Sequence, residues 1–283
     1  MKNLYLQFYH NNAPMNKSIA IAGLGWLGQP LAHRLTTLGY KVKGSVTSIE
    51  KATMLQQNGV EAYPVEISES GVQGEVKVFL KNADYLIIMI PPGLRRNTGT
   101  DYVLKMTHFL EEINNASVQK IILVSSTSVY DDSQRNVTEE DEPKPETIAG
   151  KQLRQVEELF NHSHDLETTV VRFGGLFGGS RNPAKYLAGR KDLAGGAAPV
   201  NLIHRDDCIK VLIEIVRQDA FGKTFNAVNP DHPKKSDYYI QKAKELGLEP
   251  PTFAETDSGE IFKQVDSENL GNVLGYEFKN KLS

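Results

Sequence analysis

The stretch SIAIAGLGWLG, residues 18–28, decides the fold. Ile19, Ala20, Ile21 and Ala22 form a short unbroken apolar run, the mark of a strand buried on both faces of a parallel sheet. The run passes straight into Gly23, Gly25 and Gly28 at G-x-G-x-x-G spacing, and Leu27, Leu31, Leu35 and Leu38 then recur on one face of a helix. Strand, glycine turn and helix in this order give the motif its meaning. Gly23 permits the tight turn, Gly25 lets the backbone approach a pyrophosphate, and Gly28 lets helix and strand pack closely. Trp26 and Leu27 lie where the amide groups opening the helix, and the positive end of its dipole, would face the phosphates. The plainer alternative is a turn that only joins strand to helix; the flanking pattern favours dinucleotide binding.

Working outward, 283 residues suffice for one large α/β domain, or for a nucleotide-binding domain with a smaller companion. A formal net charge of -3, with neither a basic stripe nor a basic amphipathic helix, points to a small-molecule partner and away from nucleic acid or membrane. Cys208 is the single cysteine, which excludes an intrachain disulfide and a clustered-cysteine metal site and fits a reducing, cytoplasmic setting. Ile209, Leu212, Ile213 and Val216 follow it at helical spacing, so it reads as a helix residue and not a nucleophile. Residues 1–14 carry Leu4, Leu6, Phe8 and Tyr9, but Gln7 and His10 break any signal-peptide core, and the segment reads as a loose extension. No apolar run reaches the length of a membrane span.

Residues 41–46 read as the second strand. Proteins that prefer NAD commonly place Asp or Glu at the end of this strand; here stand Ser45, Val46, Thr47 and Ser48, with Lys51 one turn into the next helix. Small hydroxyls and an ammonium suit a ribose 2′-phosphate, which predicts NADP over NAD. Glu50 pulls the other way, and Ser48 as a plain helix cap is the alternative. Residues 60–65 read as the third strand, 66–74 as polar turns and 76–80 as one short helix. A strong fourth strand over 86–90 is stopped by Pro91 and Pro92, so Ile90, Pro91 and Pro92 would line the edge along which a dinucleotide lies. Arg95 and Arg96 follow, either meeting an anion or solvated.

Tyr102, Met106, Phe109 and Ile113 mark a helix, and residues 120–124 a fifth strand. That strand delivers Ser125, Ser126, Thr127, Ser128, Val129 and Tyr130 to the carboxyl end of a central strand, where such sheets bind ligands; the alternative is hydroxyls capping a turn. Residues 131–145 are acidic and proline-bearing, a surface loop, and Lys151 then opens a helix with Leu153, Val156, Leu159 and Phe160 on its apolar side. A sixth strand over 168–172, a helix over 209–216, a last strand over 223–228, a helix over 237–246 and a terminal subdomain around Leu274 complete the chain. His204 reads as positioning the chain, and Asp206 or Asp207 as capping the helix after it. The domains expected are a Rossmann domain over 15–172, with the chain returning at 200–228, and a small subdomain from 173–199 and 229–283.

In this order the pieces resemble the extended and atypical branch of the short-chain dehydrogenase/reductase superfamily, the NAD-dependent epimerase/dehydratase-like proteins. They are GLGWLG at 23–28, SSTSVY at 125–130, Lys151 after the acidic loop, VRFGGLFG at 171–178 and NLIHRDD at 201–207. The resemblance implies a doubly wound parallel sheet, an NAD(P) cofactor, and a small C-terminal subdomain for a sugar-like or nucleotide-sugar substrate; it leaves room for a homodimer. By the same resemblance Ser126 matches the serine that hydrogen-bonds the reacting oxygen, and Lys151 the lysine that holds the nicotinamide ribose. The family tyrosine should stand four residues before that lysine, where this chain has Thr147. A phenol titrates near pH 10 and can be brought into range by neighbouring charge, whereas a threonine hydroxyl is a far weaker acid.

Three readings follow. Tyr130 substitutes for the missing phenol, a group from later loops does so, or the protein binds without efficient chemistry as a sensor or regulator. The implied substrate lid carries Arg181, Lys185, Arg190 and Lys191, which suit a phosphorylated or carboxylated ligand or else form a solvated loop. A flavin-linked reductase uses the same glycine turn and is disfavoured.

Overall fold

The computed structural model describes residues 16–93, 101–255 and 261–282, so the expectations for residues 1–14, Arg95 and Arg96 lie outside the described residues. In chain order the elements begin with β1 (Ser18–Ala22), α1 (Gly28–Thr37), β2 (Lys41–Val46), α2 (Ile49–Gln57), β3 (Glu61–Ser68) and β4 (Gly71–Gly74). There follow α3 (Val76–Leu80), β5 (Tyr85–Ile88), α4 (Tyr102–Asn114), β6 (Lys120–Ser126), β7 (Asn136–Val137), α5 (Ile148–Asn161) and β8 (Glu167–Phe173). The rest comprises β9 (Gly175–Phe177), α6 (Ala184–Leu187), β10 (Leu202–His204), α7 (Arg205–Arg217), β11 (Thr224–Ala227), α8 (Lys235–Glu245), β12 (Gln264–Val265) and α9 (Glu268–Leu274).

Two compact units emerge. The first takes the described residues up to Ser125, then Lys151–Val171 and Leu212–Lys223. Its strands lie in the order β8-β6-β5-β1-β2-β3-β4. The β6-β5, β5-β1, β1-β2 and β2-β3 pairs are parallel. The short apolar runs form these strands because both faces are covered: Ile19, Ile21, Leu86, Ile87, Ile88, Ile121 and Ile122 have no accessible surface. Leu31 and Leu35 of α1, and Met106, Phe109 and Ile113 of α4, are equally buried, each worth about 1.5–3 kcal/mol of apolar burial. From β1 the chain winds to β2, β3 and β4 on one side, then crosses to β5 on the other. Such a reversal opens a crevice at the carboxyl ends of β1 and β5.

Residues 66–74, read from sequence as polar turns, instead extend β3 and pair it antiparallel with β4, Val65 facing Gly74 and Ser68 facing Gly71. Polarity misled because an edge hairpin needs few apolar side chains: β4 is wholly intermediate or exposed.

The second unit comprises Ser126–Gly150, Arg172–Val211 and the described residues from Thr224 onward. It therefore claims 126–150, which the sequence reading left in the Rossmann domain. Here β9 pairs with β10 and β7 with β12, both in parallel. Val200, Leu202, Tyr238 and Leu282 form a small buried cluster, with Phe177 and Tyr239 against it. Asp207 is fully buried and accepts from the Tyr276 hydroxyl and Asn280 Nδ2, both at 2.7 Å, which ties down the C-terminal segment.

The acidic loop is anchored rather than free. It supplies β7, and the Glu139 carboxylate accepts the backbone N–H groups of Asn226 at 2.8 Å, Glu268 at 3.1 Å and Asn269 at 3.3 Å. A carboxylate so placed caps the start of α9 from a distant part of the chain.

Candidate active site

The glycine turn distinguishes two kinds of glycine. Gly23 has φ +108°, and a Cβ there would lie 3.0 Å from the Met89 carbonyl oxygen; a Cβ on Gly28 would lie 2.2 Å from the Gly23 carbonyl oxygen. The protein's own packing demands both glycines. Gly25 is different. It is exposed, its φ lies outside the left-handed region, and a Cβ on it would meet nothing within 4 Å. Nothing in the chain requires glycine there, whereas a ligand pressed against the backbone would.

The turn is held ready from three directions. Leu24 N donates to the Ser45 carbonyl at 2.8 Å, Gly23 N to the Ser45 hydroxyl at 3.2 Å, and the Gln29 side-chain amide to the Leu24 carbonyl at 3.1 Å. Leu27 at the N-cap of α1 offers no side-chain hydrogen bond, and the first turn holds no acidic residue. Helix-opening amides without a side-chain acceptor form a site for an anion, and a linked pair of phosphates fits it. Trp26 is partly buried beside them.

At the end of β2 the expected residues part company. Ser45 is buried with its hydroxyl committed to the Gly23 amide, so its part is to brace the turn. Ser48 caps α2 by accepting from Lys51 N at 3.2 Å. Thr47 is exposed and Lys51 half-buried, neither with its side chain committed to a described residue as those of Ser45 and Ser48 are, and Glu50 is exposed near them.

The carboxyl end of β5 lies along the same turn. Met89 N donates to the Ala22 carbonyl at 2.9 Å, and the Ile90 carbonyl accepts the Tyr102 hydroxyl at 3.0 Å. Ile90 and Pro92 are half-buried and Pro91 is exposed. At the end of β6 the Ser125 hydroxyl donates to Glu157 Oε1 at 2.6 Å, both residues buried. The Arg154 guanidinium stands 3.7 Å from the same carboxylate.

The same side of α5 packs inward throughout: Leu153, Val156, Glu157 and Phe160 are buried, whereas Lys151 is exposed. At about 100° per residue, Lys151 stands roughly 120° around the helix from Glu157. Ala149 and Leu153 precede Glu157 at four-residue steps, so this inward row carries neither phenol nor ammonium. Lys151 lies off that buried row, on the exposed side of α5. Counting residues from a motif fixes position along a helix, and only packing fixes direction.

Within the second unit, Ser126 is partly exposed and its hydroxyl accepts Ser128 N at 3.2 Å, capping the Thr127–Val129 turn while keeping its own proton to donate. Thr147 accepts Gly150 N at 3.0 Å at the start of α5. Tyr130 is 1% exposed. Its hydroxyl accepts from Arg172 at 2.6 Å and lies 2.9 Å from the Thr138 carbonyl and 3.2 Å from Asn226 Oδ1. The Arg172 guanidinium also sits 5.1 Å from the ring centroid. Burial raises the phenol's pKa, with Arg172 and Asn226 opposing it. The group is thus committed to holding the second unit together.

His204 packs edge-on to Phe177 at 5.1 Å and accepts Asp206 N at 3.2 Å, a chain-positioning role. Cys208 is buried, and that burial pushes its thiol well above the usual range, so it is inert.

Against this geometry, a family model described as NAD(P)H-binding matches residues 23–219. The chain belongs to the NAD(P)H-binding family. It is similar to protein YeeZ of Escherichia coli strain K12, at 34% identity over 266 residues covering 93% of this chain and 96% of that protein. Among solved structures it is similar to MoeE5 in complex with UDP-glucuronic acid and NAD, with TM-score 0.76, 19% identity, and 94% and 95% of the two chains covered. The UDP-glucuronic acid 4-epimerase of Bacillus cereus, in complex with UDP-glucuronic acid and NAD, gives the same four values. At such identity the likeness establishes the fold, the Rossmann-type α/β architecture of the epimerase/dehydratase and short-chain dehydrogenase/reductase proteins that the ordered motifs led us to expect. No described helix is long and apolar enough to cross a membrane.

Proposed function

We propose that this protein binds NADP(H) in preference to NAD(H) on its glycine turn and exchanges hydride with a carbinol or carbonyl carbon of an anionic, sugar-like substrate. The observation that carries the cofactor half is Gly25, a glycine with open space above it and no conformational need of its own. Amides of Trp26, Leu27 and Gly28 hold the pyrophosphate, Thr47 and Lys51 the 2′-phosphate, and Ile90, Pro91, Pro92 and Ser125 flank the nicotinamide end. Bound cofactor supplies the hydride at nicotinamide C4. Ser126, oriented by Ser128 N, would hydrogen-bond the reacting oxygen, and the proton that accompanies the hydride would be exchanged with water.

Support for a nucleotide-sugar-like substrate comes from the UDP-sugars bound by proteins of the same fold and from Arg181, Lys185 and Arg190 in the second unit. Tyr130 is not given proton transfer, because it is buried in a structural network, and Thr147 stands where the family tyrosine would; Lys151, exposed on α5, is left to hold the nicotinamide ribose. Turnover is therefore slow beside an enzyme with the Tyr-x-x-x-Lys pair.

A second reading, a dinucleotide-binding sensor or regulator without turnover, is favoured by Thr147, which stands where the family tyrosine would. Calorimetry with NADPH and NADH, followed by absorbance of reduced nicotinamide over a panel of UDP-sugars, separates the two. Binding with turnover supports the first, binding without turnover the second, and absence of binding at millimolar cofactor rejects both.

A further inference from the structure

The carboxyl end of β5 faces β1 where the strand order reverses, and several contacts seat it under the glycine turn. Met89 N donates to the Ala22 carbonyl at 2.9 Å. Its carbonyl oxygen lies 3.0 Å from the Cβ position of Gly23, and its terminal methyl 3.2 Å from that of Gly28. The wall of the turn is therefore only as well placed as Met89 itself.

After Ile90 come Pro91 and Pro92, which have no N–H and cannot anchor this wall through backbone donation. An anchor comes from α4. Tyr102, 1% exposed, donates its hydroxyl to the Ile90 carbonyl at 3.0 Å across 12 positions of sequence. Its own backbone N–H donates to Gln152 Oε1 at 3.0 Å, tying the same residue to α5. Burial drives ionisation of this phenol well above the usual range, so it remains a neutral donor at every working pH. Apolar packing of α4 needs only the ring, which phenylalanine would supply; the hydroxyl has a separate purpose.

We propose that Tyr102 is a positioning residue of the dinucleotide site: its buried hydroxyl holds the Ile90 carbonyl and so sets the Met89–Ile90 end of β5 against the glycine turn. The inference rests on the dinucleotide reading above. Its test uses the full chain, NADPH as probe, and two variants measured for both affinity and melting temperature. Tyr102→Phe keeps the ring and removes the bond, and NADPH affinity is expected to fall about three- to tenfold, the worth of one neutral hydrogen bond. Gln152→Ala cuts the contact on the other side of Tyr102 and should leave affinity unchanged.

Equal affinity for wild type and Tyr102→Phe would overturn the inference, as would a lower melting temperature without loss of affinity. An equal loss in Gln152→Ala would also overturn it, since general loosening of α4 would then suffice. If the wild-type chain binds neither NADPH nor NADH, the dinucleotide reading itself has failed, a result distinct from the other three.

Discussion

Replacing Gly25 with alanine should make the protein slightly more stable and much poorer at binding its cofactor. The added methyl meets no atom of the chain within 4 Å, and the backbone there is not in the left-handed region. A Gly→Ala change at a compatible position stabilises by about 0.4–1 kcal/mol, chiefly by narrowing the unfolded ensemble. For a chain of this size that corresponds to a melting temperature higher by about 1–3 °C. The same methyl occupies the space through which a pyrophosphate reaches the helix-opening amides. Loss of even one charge-assisted hydrogen bond weakens binding by about 1.5–3 kcal/mol, at least roughly tenfold in Kd.

The contrast is Gly28→Ala, whose methyl would stand 2.2 Å from the Gly23 carbonyl oxygen. Overpacking of that kind costs about 1–3 kcal/mol, so that variant should lose stability and affinity together. Differential scanning fluorimetry and calorimetric titration with NADPH read both quantities. Wild-type affinity in Gly25→Ala, or a melting temperature that falls as far as in Gly28→Ala, would refute the assignment of Gly25 to the ligand.

Other consequences are as specific. Lys151→Ala should leave stability within about 0.5 kcal/mol, because the side chain is exposed on α5, while lowering NADPH affinity and any turnover; wild-type affinity by calorimetry would remove Lys151 from the cofactor site. Tyr130→Phe should cost about 1–3 kcal/mol in a denaturant melt through the bonds to Arg172 and the Thr138 carbonyl, with NADPH affinity intact; lost turnover at full stability would point to catalysis instead. Burial raises the pKa of Glu139 above the ordinary carboxylate value, so the folded state holds this proton more tightly than the unfolded chain. Its titration therefore favours folding fully below the unfolded pKa, a contribution lost as pH rises through the folded one. Relative to Glu139→Gln, wild type should gain stability between pH 7 and pH 4, and a difference flat across that range would refute the assignment.

The sequence made the first unit readable wherever one local pattern carried the information. Apolar runs gave β1, β5 and β6 within a residue or two, and the glycine spacing gave the turn and α1, because burial on both faces and close backbone approach each leave a short, direct signature. Contacts between residues far apart in the chain left none. Ser45 could be seen as a hydroxyl at the end of β2, but not that the Gly23 amide takes it. Glu139 looked like one acid among many in a surface loop, since its three partners lie 87 to 130 positions away.

The site at α5 shows the same divide. Thr147 in place of a tyrosine was legible, and so was the apolar side of α5, yet the buried Glu157 on that side was not, because its partner Ser125 lies 32 positions away. Nor did Tyr102 stand out beyond its helical spacing. A hydroxyl aimed at a distant carbonyl looks, in sequence, like any aromatic on an apolar face.

Trp26 is the single tryptophan of the chain and lies inside the glycine turn, which makes it a built-in reporter. Excited at a wavelength selective for tryptophan, the wild-type protein should show quenching that saturates as NADPH is added, with reduced-nicotinamide emission rising in step by energy transfer. NADH should do the same at higher concentration. Tryptophan emission that declines only linearly, without saturation, for both cofactors would contradict the placement of a dinucleotide on this turn.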